Sequence, residues 1–288
     1  QPVRRFGVDA AILFSDILLP LVPMGLELGF VAGEGPVIAN PVRTEAEVAA
    51  LRPVEPREAL RPVLDTIRAL RAELPPSVPL IGFVGGPFTV ASYAIAGGPS
   101  RDAFDARRLM HTAPALWHAL MTRLVAVLGE HLAAPAEAGA QAVQLFDSWA
   151  GALSEAEYRR FVLPYSRAVL ERVGQGGVPR IHFAVGASHL LPAIATLPVE
   201  VVGLDWRTTL REGRRIVGPR RALQGNLDPV ALFAPANDLR RAVDAVLAEA
   251  DGGAHIFNVG HGIHPGTPID AVQAVVDRVH ERPAPEGR

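Results

Sequence analysis

Short apolar runs rich in β-branched residues alternate along the chain with longer amphipathic segments, and this alternation constrains the fold more than any other feature. It is the pattern expected of repeated βα units around a parallel sheet, in which helices cover the strands. On this periodicity we predict seven strands. They lie near residues 10–14, 79–84, 142–146, 180–183, 201–204, 222–224 and 255–258.

The segments between the predicted strands carry turn and helix signals of their own. Glycines in residues 29–41 predict a hairpin or flap after the first unit. The longest helical pattern covers residues 103–132, and a proline predicts a break in it at 112–114. Near the end of the chain, Thr267 is the predicted cap of a helix over 271–279.

The strand count favours a barrel that lacks one strand. A TIM barrel has eight parallel strands, each followed by a helix, and this pattern contains one fewer. Because helix-like residues 1–5 lead directly into the first strand, we expect an opening segment to be missing. The alternative, an open doubly wound sheet, would carry a glycine-rich phosphate turn after its first strand, and residues 14–18 are not one. We therefore predict an α/β fold, a (β/α)8 TIM barrel without its first strand, as a single domain over residues 1–288.

The composition is that of a soluble globular protein with a large core. The 288 residues are 49% hydrophobic and 20% charged, and the formal net charge is -2. This near-neutral balance argues against a nucleic-acid or membrane partner, because such binders usually carry a basic surplus. The apolar stretch at 17–26 is too short to span a bilayer and contains two prolines, and the start does not resemble a signal peptide.

Two residue types are absent, and each absence excludes a class of chemistry. The chain has no cysteine, which rules out disulfides, thiolate nucleophiles and thiolate-held zinc and is consistent with a cytoplasmic location. It has no lysine either, since all 28 basic residues are arginines. Schiff-base chemistry, a lysine-held pyridoxal cofactor and the lysine of a P-loop are therefore excluded.

Polar residues follow almost every predicted strand, at the edge where parallel α/β proteins carry their sites. Ser15 and Asp16 come directly after the first strand, so a carboxylate stands at its end. That carboxylate is suited either to a functional role or to capping the next turn. The later strand ends carry Thr89 and Tyr93, Asp147 to Trp149, Asp205 to Arg207, Asn226 and Asp228, and His261 and His264.

Each of these residues also has a purely structural interpretation. Tyr93 can be a core residue, and Asp147 and Asp205 are as suited to hydrogen-bonding loop amides as to contacting a ligand. His261 lies between two glycines in a loop, which favours a functional role. His261 and His264 have a spacing that a metal site tolerates, but two histidines without a third ligand do not predict one, so no metal is expected.

Motifs spread from one end of the chain to the other resemble those of a single enzyme family. The motifs are Ala-Ala-Ile-Leu-Phe-Ser-Asp-Ile-Leu (10–18), Gly-Glu-Gly-Pro (33–36), Ile-Gly-Phe-Val-Gly-Gly-Pro-Phe-Thr (81–89), Gly-Gly-Pro-Ser (97–100), Phe-Asp-Ser-Trp-Ala-Gly (146–151), Gly-Leu-Asp-Trp (203–206), Leu-Gln-Gly-Asn-Leu-Asp-Pro (223–229) and Asn-Val-Gly-His-Gly-Ile (258–263). In this order they are similar to uroporphyrinogen decarboxylase of the haem pathway. The resemblance covers the chain from end to end.

The resemblance implies a (β/α)8 barrel, usually a homodimer, that needs no cofactor. It implies conversion of uroporphyrinogen III to coproporphyrinogen III by loss of carbon dioxide from four acetate side chains. It also implies that the Asp16 carboxylate, at the centre of the cleft, accepts hydrogen bonds from the pyrrole N–H groups. The catalytic residues that it implies are Asp16, Tyr93 and His261. The substrate-binding residues that it implies are Ile12, Phe14, Ser15, Asp16, Phe83, Tyr93, Phe146, Ser148 and His261.

One family motif has no counterpart in this sequence. The family's opening motif supplies arginines that bind the substrate carboxylates, and it is expected upstream of Gln1. If that motif is absent from the protein, we expect a folded chain with little or no activity. Five arginines cannot be assigned to the carboxylate-binding role from sequence: Arg4, Arg5, Arg43, Arg101 and Arg207.

Two other functions stay open on the sequence. One is a zinc-dependent corrinoid or thiol methyltransferase of the same superfamily, against which the lack of cysteine argues. The other is a non-catalytic barrel that binds a tetrapyrrole without turning it over. Metal content separates the first from a decarboxylase, and product formation separates the second.

Overall fold

The computed structural model describes residues 1–33, 35–100, 102–174, 177–250 and 252–282, so Glu34 and Arg101 lie outside the described residues. The strands are β1 (Ala11–Ile12), β2 (Leu28–Val31), β3 (Gly35–Ile38), β4 (Leu80–Gly85), β5 (Ala142–Phe146), β6 (Arg180–Phe183), β7 (Val201–Gly203), β8 (Ala222–Leu227) and β9 (His255–Val259). The α-helices are α1 (Pro2–Phe6), α2 (Glu45–Ala50), α3 (Pro56–Ala59), α4 (Arg61–Glu73), α5 (Pro87–Ala96), α6 (Phe104–Thr112), α7 (Pro114–Glu137), α8 (Glu155–Phe161), α9 (Leu163–Glu171), α10 (Leu191–Ile194), α11 (Leu210–Val217), α12 (Ala236–Glu249) and α13 (Ile269–His280). Short 3-10 helices cover Leu19–Leu21, Ala150–Ala152, Ser188–Leu190 and Pro229–Phe233.

Seven strands form one curled parallel sheet in the order β1, β4, β5, β6, β7, β8, β9. Most consecutive pairs are joined through helical segments, as parallel neighbours require. These are the seven strands predicted from the sequence, and the predicted α/β barrel architecture is confirmed. Within the described ranges β1 pairs only with β4, and β9 only with β8, so the sheet is an open barrel.

The first strand is shorter than predicted. Only Ala11 and Ile12 form the β1 ladder, opposite Leu80 and Ile81 of β4. The next residue still donates one bond, from the Leu13 N–H to the Ile81 carbonyl at 3.0 Å, before the chain turns away.

The pairing register determines which side chains line the inside of the sheet. Phe146 pairs with Phe183, and Phe183 with Gly203, so these residues share the inner face. Leu145 and Val202 alternate with them and point towards the helices. A Cβ at Gly203 would lie 2.8 Å from a ring atom of Phe183, so glycine provides the space that this ring occupies.

The largest core lies between the outer face of the sheet and the helices, with α7 at its centre. Trp117 of α7 is fully buried, and the burial of one such large apolar side chain contributes roughly 1.5–3 kcal/mol. A Cβ at Gly82 of β4 would lie 2.6 Å from Cβ of Pro135, so the close approach of α7 to the sheet requires glycine there. In the described ranges no helix combines the length and apolar character needed to cross a bilayer.

The hairpin and the helix break predicted from sequence are both confirmed. Strands β2 and β3 pair antiparallel and lie almost entirely within residues 29–41. The predicted break at 112–114 separates α6, which ends at Thr112, from α7, which begins at Pro114. Proline ends one helix and starts the next because it has no N–H to donate and its φ suits a first turn.

The predicted cap of the last helix is wrong. Thr267 belongs to the preceding turn, where its N–H donates to the carbonyl of His264 at 2.9 Å. The helix α13 begins at Ile269, with Pro268 at the N-cap and no side-chain cap bond. The Thr267 hydroxyl oxygen accepts no hydrogen bond from the first turn of α13 and has no hydrogen-bond partner among the described residues.

Candidate active site

Rings from five segments follow one another around the inner face of the sheet towards its carboxyl end, and we call them the aromatic arc: Phe14, Phe83, Phe146, Phe183 and His261. Neighbouring ring centroids are 5.7, 5.2, 5.8 and 6.4 Å apart in that order. These separations lie within or close to the range in which aromatic rings attract one another. The arc therefore runs from the end of β1, across β4 to β6, to the loop after β9.

We call the inner surface that the arc lines the cleft. Phe183 and Phe83 are only 6% and 7% exposed, whereas Phe14 is 80% exposed. His261 at the other end is exposed as well. A continuous apolar surface that changes from buried to exposed is typical of a ligand site. The arc is suited to a large ring system that rests on its face.

Asp16 lies in the turn after β1, beside the exposed end of the aromatic arc. Its Oδ1 accepts a hydrogen bond from the Leu18 N–H at 2.8 Å, so the capping interpretation of this residue is confirmed for one oxygen. No described residue donates to Oδ2, and the side chain is only half-buried. Asp16 thus caps the turn and still presents one carboxylate oxygen for a ligand.

Tyr93 lies on α5, which begins directly after β4, and its ring stacks on Trp149 with centroids 4.2 Å apart. The pKa of Tyr93 is raised, first because the phenol is partly buried and second because the negative charge of Asp16 opposes a phenolate. The two predicted catalytic residues are therefore close enough to interact electrostatically. Tyr93 keeps its proton at neutral pH and can donate a hydrogen bond.

A buried carboxylate fixes α5 against the end of β5. Oδ1 of Asp147 accepts from the Thr89 N–H at 2.9 Å and from the Thr89 hydroxyl at 2.7 Å. The same hydroxyl accepts from the Trp149 N–H at 3.1 Å. We call this arrangement the Asp147–Thr89 latch; it connects the helix that bears Tyr93 to the loop that bears Ser148 and Trp149.

Burial dominates the electrostatics of the latch. Asp147 is fully buried, and this desolvation raises the pKa of its carboxyl to about 6 although the hydrogen bonds from Thr89 oppose the shift. Its Oδ2 has no hydrogen-bond partner among the described residues. A Cβ at Gly86 would lie 2.3 Å from Cβ of Asp147, so the close contact between the two loops requires glycine. Of its two proposed roles, Asp147 fulfils the structural one.

Asp205 is also structural, at the end of β7. Its Oδ2 accepts from the Gly186 N–H at 2.6 Å and from Nη1 of Arg207 at 2.6 Å, and its Oδ1 accepts from the Arg207 N–H at 3.0 Å. The Arg207 guanidinium also lies 4.0 Å from the ring centroid of Trp206. The carboxylate is buried, so its charge acts on the loop and on Arg207.

The two loop histidines point to different partners. The His261 ring stacks on Phe183 at an interplanar angle of 22°, within the arc. Nδ1 of His264 instead accepts from the Gly266 N–H at 3.0 Å, and its ring meets the edge of Phe233. Among the residues that the structure describes, no three His, Cys, Asp or Glu side chains come together as a metal site.

The other predicted site residues lie on the inner face of the sheet or along its rim. Ile12, 46% exposed, precedes the exposed end of the arc. Ser15 and Ser148 are half-buried and stand next to the strand-end aspartates. The predicted residues thus lie at or just after the carboxyl ends of β1, β4, β5 and β9, and their roles towards a substrate stay predictions.

Sequence reasoning missed Phe183 as a part of this cleft. Phe183 completes the arc between Phe146 and His261. A signal for Phe183 was present, because it is the last residue of a predicted strand, as Phe146 is of its own. The sequence named Trp149 only as a residue that follows a strand, and its contact with the Tyr93 ring depends on a helix from a different βα unit.

The unassigned arginines differ in where the fold places them. Arg4 and Arg5 lie on α1, away from the arc, and Arg43 donates to the backbone carbonyls at the end of α5. Arg101 lies outside the described residues. Arg207 follows β7 at the carboxyl end of the sheet.

Known proteins resemble this chain in sequence over nearly its whole length. The model of the uroporphyrinogen decarboxylase family, URO-D, matches residues 1–282. A uroporphyrinogen decarboxylase of Carboxydothermus hydrogenoformans is 50% identical over 282 residues, covering 98% of this chain and 81% of that protein. A uroporphyrinogen decarboxylase of Rhodococcus opacus is 52% identical over 286 residues, covering 97% and 80%.

Solved structures resemble the chain in fold. A methyltransferase from Methanosarcina mazei superposes with a TM-score of 0.82 at 22% identity and covers 97% of this chain and 82% of its own. A B12-independent methionine synthase from a Shewanella species gives a TM-score of 0.60 at 10% identity, covering 97% and 84%. At such low identity these two likenesses concern the fold alone.

Proposed function

Since the chain belongs to the uroporphyrinogen decarboxylase family, we propose that it removes carbon dioxide from the four acetate side chains of uroporphyrinogen III to give coproporphyrinogen III, in porphyrin and haem biosynthesis. The observation that carries this proposal is the free carboxylate oxygen of Asp16 beside the exposed end of the aromatic arc. An anion next to a broad apolar surface suits a ligand whose centre is rich in N–H groups and whose ring system becomes cationic.

The chemistry requires an electron sink, and the substrate itself can supply it. Protonation of a pyrrole carbon makes the ring cationic, and the electron pair of the departing C–CO2 bond then flows into that ring. A fixed anion facing the ring stabilises this cation before and during bond cleavage. Asp16 is suited to this role because its carboxylate also accepts hydrogen bonds from the pyrrole N–H groups.

The surroundings of Asp16 strengthen its effect. The apolar rings of the arc exclude water from the bound face of the substrate, and a lower local dielectric increases the attraction between the anion and a ring cation. Tyr93, protonated at neutral pH, and Ser148 are donors for substrate carboxylates or for the ring. His261 at the far end of the arc is a third polar contact, and Ile12, Ser15, Phe14, Phe83 and Phe146 complete the proposed contact surface.

The oligomeric state, location and cofactor requirement that we propose are those implied by the resemblance to the family. We propose that it acts as a homodimer in the cytoplasm, without a cofactor or a resident metal. Its partner is the tetrapyrrole alone, with neither nucleic acid nor a membrane, which the formal net charge of -2 supports.

An assay with freshly reduced uroporphyrinogen III tests the proposal, on protein that includes any natural sequence upstream of Gln1. We expect coproporphyrinogen as product, measured by chromatography after oxidation to the porphyrin. Binding of uroporphyrinogen without product would contradict the proposed activity and identify a tetrapyrrole-binding barrel. Stoichiometric, tightly bound zinc together with methyl transfer would identify a methyltransferase instead.

A further inference from the structure

An arginine at the carboxyl end of the sheet is held in place by a buried carboxylate. Arg207 lies in the loop after β7, and its Nη1 donates to the carboxylate of Asp205 at 2.6 Å. The Asp205 side chain is 2% exposed, whereas the Arg207 side chain is 48% exposed. One partner of the pair is inside the protein, and the other faces solvent.

Asp205 fixes the direction of the guanidinium. Its carboxylate accepts three hydrogen bonds, from the Gly186 N–H, the Arg207 N–H and Nη1 of Arg207, at 2.6, 3.0 and 2.6 Å. The guanidinium also lies over the Trp206 ring, 4.0 Å from its centroid. A cation held by both a carboxylate and an aromatic face loses little further side-chain entropy when it binds a ligand.

The loop that carries Arg207 is itself rigid. Nδ2 of Asn226, a buried residue of β8, donates to the carbonyl of Asp205 at 3.0 Å and to that of Thr208 at 2.5 Å. The two bonds bracket Arg207 on either side. The hydroxyl of Thr208 is further hydrogen-bonded to Ser188.

The Arg207 loop lies directly against the loop of His261. A Cβ at Gly260 would stand 2.6 Å from the backbone N of Trp206, so these two loops touch along their backbones. His261 is the next residue and the last ring of the aromatic arc. Arg207 therefore belongs to the β7–β9 side of the cleft, on the side of the arc away from Asp16.

The Asp205 contact uses only part of the guanidinium. Nε and Nη2 of Arg207 make no hydrogen bond within the part of the chain that the structure describes. A planar guanidinium with these donors free binds a carboxylate through two parallel N–H···O bonds. If the pair served stability alone, such an exposed arginine would contribute little, because a half-exposed ion pair is screened by water.

We propose that Arg207 binds a carboxylate arm of the tetrapyrrole at the β7–β9 side of the cleft, and that Asp205 is the positioning residue that aims it. The inference rests on the proposed function, because that function supplies a substrate with acetate and propionate arms around its ring. Asp16 then meets the centre of the ring and Arg207 its periphery.

Arg207→Gln is the direct test, with Arg180→Gln as the matched control. Arg180 is likewise bonded to a carboxylate, that of Glu200 at 2.8 Å, but it lies at the amino end of β6. The probe is uroporphyrin, the oxidised and unreactive form, titrated by fluorescence. We expect Arg207→Gln to weaken uroporphyrin binding about tenfold, as loss of a charged hydrogen-bonding partner does, and Arg180→Gln to leave it unchanged.

Two further variants separate binding from folding. Arg207→Lys keeps the charge but not the paired donors, and we expect it to recover only part of the affinity. Asp205→Asn frees the guanidinium, and we expect it to raise KM for uroporphyrinogen while kcat stays near that of the unaltered chain. Urea unfolding of each variant verifies that the proteins compared are folded.

The outcomes also separate this inference from the proposed activity. Unaltered uroporphyrin affinity in folded Arg207→Gln would overturn the role of Arg207 and leave the decarboxylase activity standing. The opposite result is a chain that forms no coproporphyrinogen but binds uroporphyrin more weakly once Arg207 is replaced. It would overturn the proposed decarboxylase activity and support Arg207 as the residue that binds a carboxylate arm. Equal weakening of uroporphyrin and coproporphyrin binding supports a propionate arm as the ligand, since coproporphyrin lacks the acetates; selective weakening of uroporphyrin supports an acetate arm.

Discussion

The ends of β1 and β5 each carry an aspartate, and the two carboxylates differ in everything but their position after a strand. Asp16 is half-buried, has one oxygen on a turn amide, and offers the other to the cleft. Asp147 is fully buried and holds Thr89 of α5, the helix that follows the neighbouring strand β4. An anion that must stabilise a substrate cation has to remain ionised, and this favours the carboxylate with access to water. A position after a strand therefore makes an aspartate a candidate site residue, and the exposure of its carboxylate to water determines whether it is suited to contact a ligand or to hold the structure.

The largest expected effect belongs to Asp16. Asp16→Asn keeps an oxygen to accept the Leu18 N–H but removes the charge, so the turn is retained and the ring cation loses its counter-ion. We expect kcat with uroporphyrinogen to fall by a factor on the order of 10³, roughly 4 kcal/mol. Asp228→Asn is the control, because Oδ1 of Asp228 also accepts a backbone N–H two residues on, that of Val230 at 2.9 Å.

If Asp16 were only a cap, the two variants would behave alike. Full activity of Asp16→Asn, with a folded protein, would contradict the electrostatic role and reduce the difference between the two aspartates to one of burial.

The second effect is a pH dependence of stability caused by Asp147. Its pKa is raised from 3.8 to about 6 in the native state, so between these values the folded protein holds a proton that the unfolded chain has lost. The associated stability is present at low pH and is lost as the pH rises through about 6. At ~1.4 kcal/mol per pKa unit, the loss amounts to about 3 kcal/mol.

Asp147→Asn removes this titration, and the measurement is the difference in free energy of unfolding between variant and unaltered chain. We expect the variant to gain about 2 kcal/mol relative to the unaltered chain between pH 4 and pH 7 in urea unfolding, because the carboxyl of the unfolded chain is already partly ionised at pH 4. His131 and His182 have pKa values lowered to about 4 by burial and give the opposite slope, but they are present in both proteins and cancel. A difference that does not change with pH would contradict the buried, proton-holding state of Asp147.

A smaller change in the free energy of unfolding is expected when Thr89, the hydrogen-bond partner of Asp147, is replaced. Thr89→Val is close in shape but removes both the hydroxyl donor to Asp147 and the acceptor of the Trp149 N–H. We expect a loss of about 2 kcal/mol of unfolding free energy, because buried polar groups lose their partners. Thr66→Val is the matched control, since the Thr66 hydroxyl bonds its own exposed helix at Pro62, and should change stability by less than ~0.5 kcal/mol. Equal effects at both threonines would show that the latch adds nothing.

The smallest stability change is expected at the exposed end of the aromatic arc. Phe14→Leu should alter the free energy of unfolding by less than ~0.5 kcal/mol, because the ring is 80% exposed. Phe83→Leu, at a ring that is 7% exposed, should cost about 1 kcal/mol. Both should raise KM for uroporphyrinogen if the arc is the substrate floor. A Phe14→Leu protein that loses stability but keeps its KM would indicate a core ring and contradict the cleft.

The elements that sequence predicted well are those whose signal is local. The strands β4 to β7 are short, mostly apolar runs that are largely buried on both faces, and such burial demands such a run whatever surrounds it. The hairpin and the helix break follow from glycine and proline backbones in the same way. The predicted cap at Thr267 is wrong because Thr267 lies in the turn with His264 and Pro268 takes the N-cap position, which no local pattern reveals.

The sequence predicted which residues lie at the candidate site, but not which of them are structural and which are free to contact a ligand. The residues after the strands were identifiable because parallel strands bring their ends together. Whether Asp147 and Asp205 hold loops or touch a ligand depends on Thr89, Gly186 and Arg207, which come from other parts of the chain. The alternatives left open by sequence were therefore resolved by contacts between distant segments.

The sequence by itself determined the alternating strand and helix pattern and the polar residues at the strand ends. It also excluded the chemistries that require cysteine or lysine. These properties depend on residue type and spacing, which sequence contains in full. Only the tertiary structure decided that Asp16 keeps a free oxygen, that Asp147 is dry enough to hold its proton near pH 6, and that Phe183 joins Phe146 to His261. The burial of a side chain, its hydrogen-bond partners and its ring contacts depend on neighbours that come from different βα units. These properties therefore exist only in the folded protein and cannot be read from the local sequence.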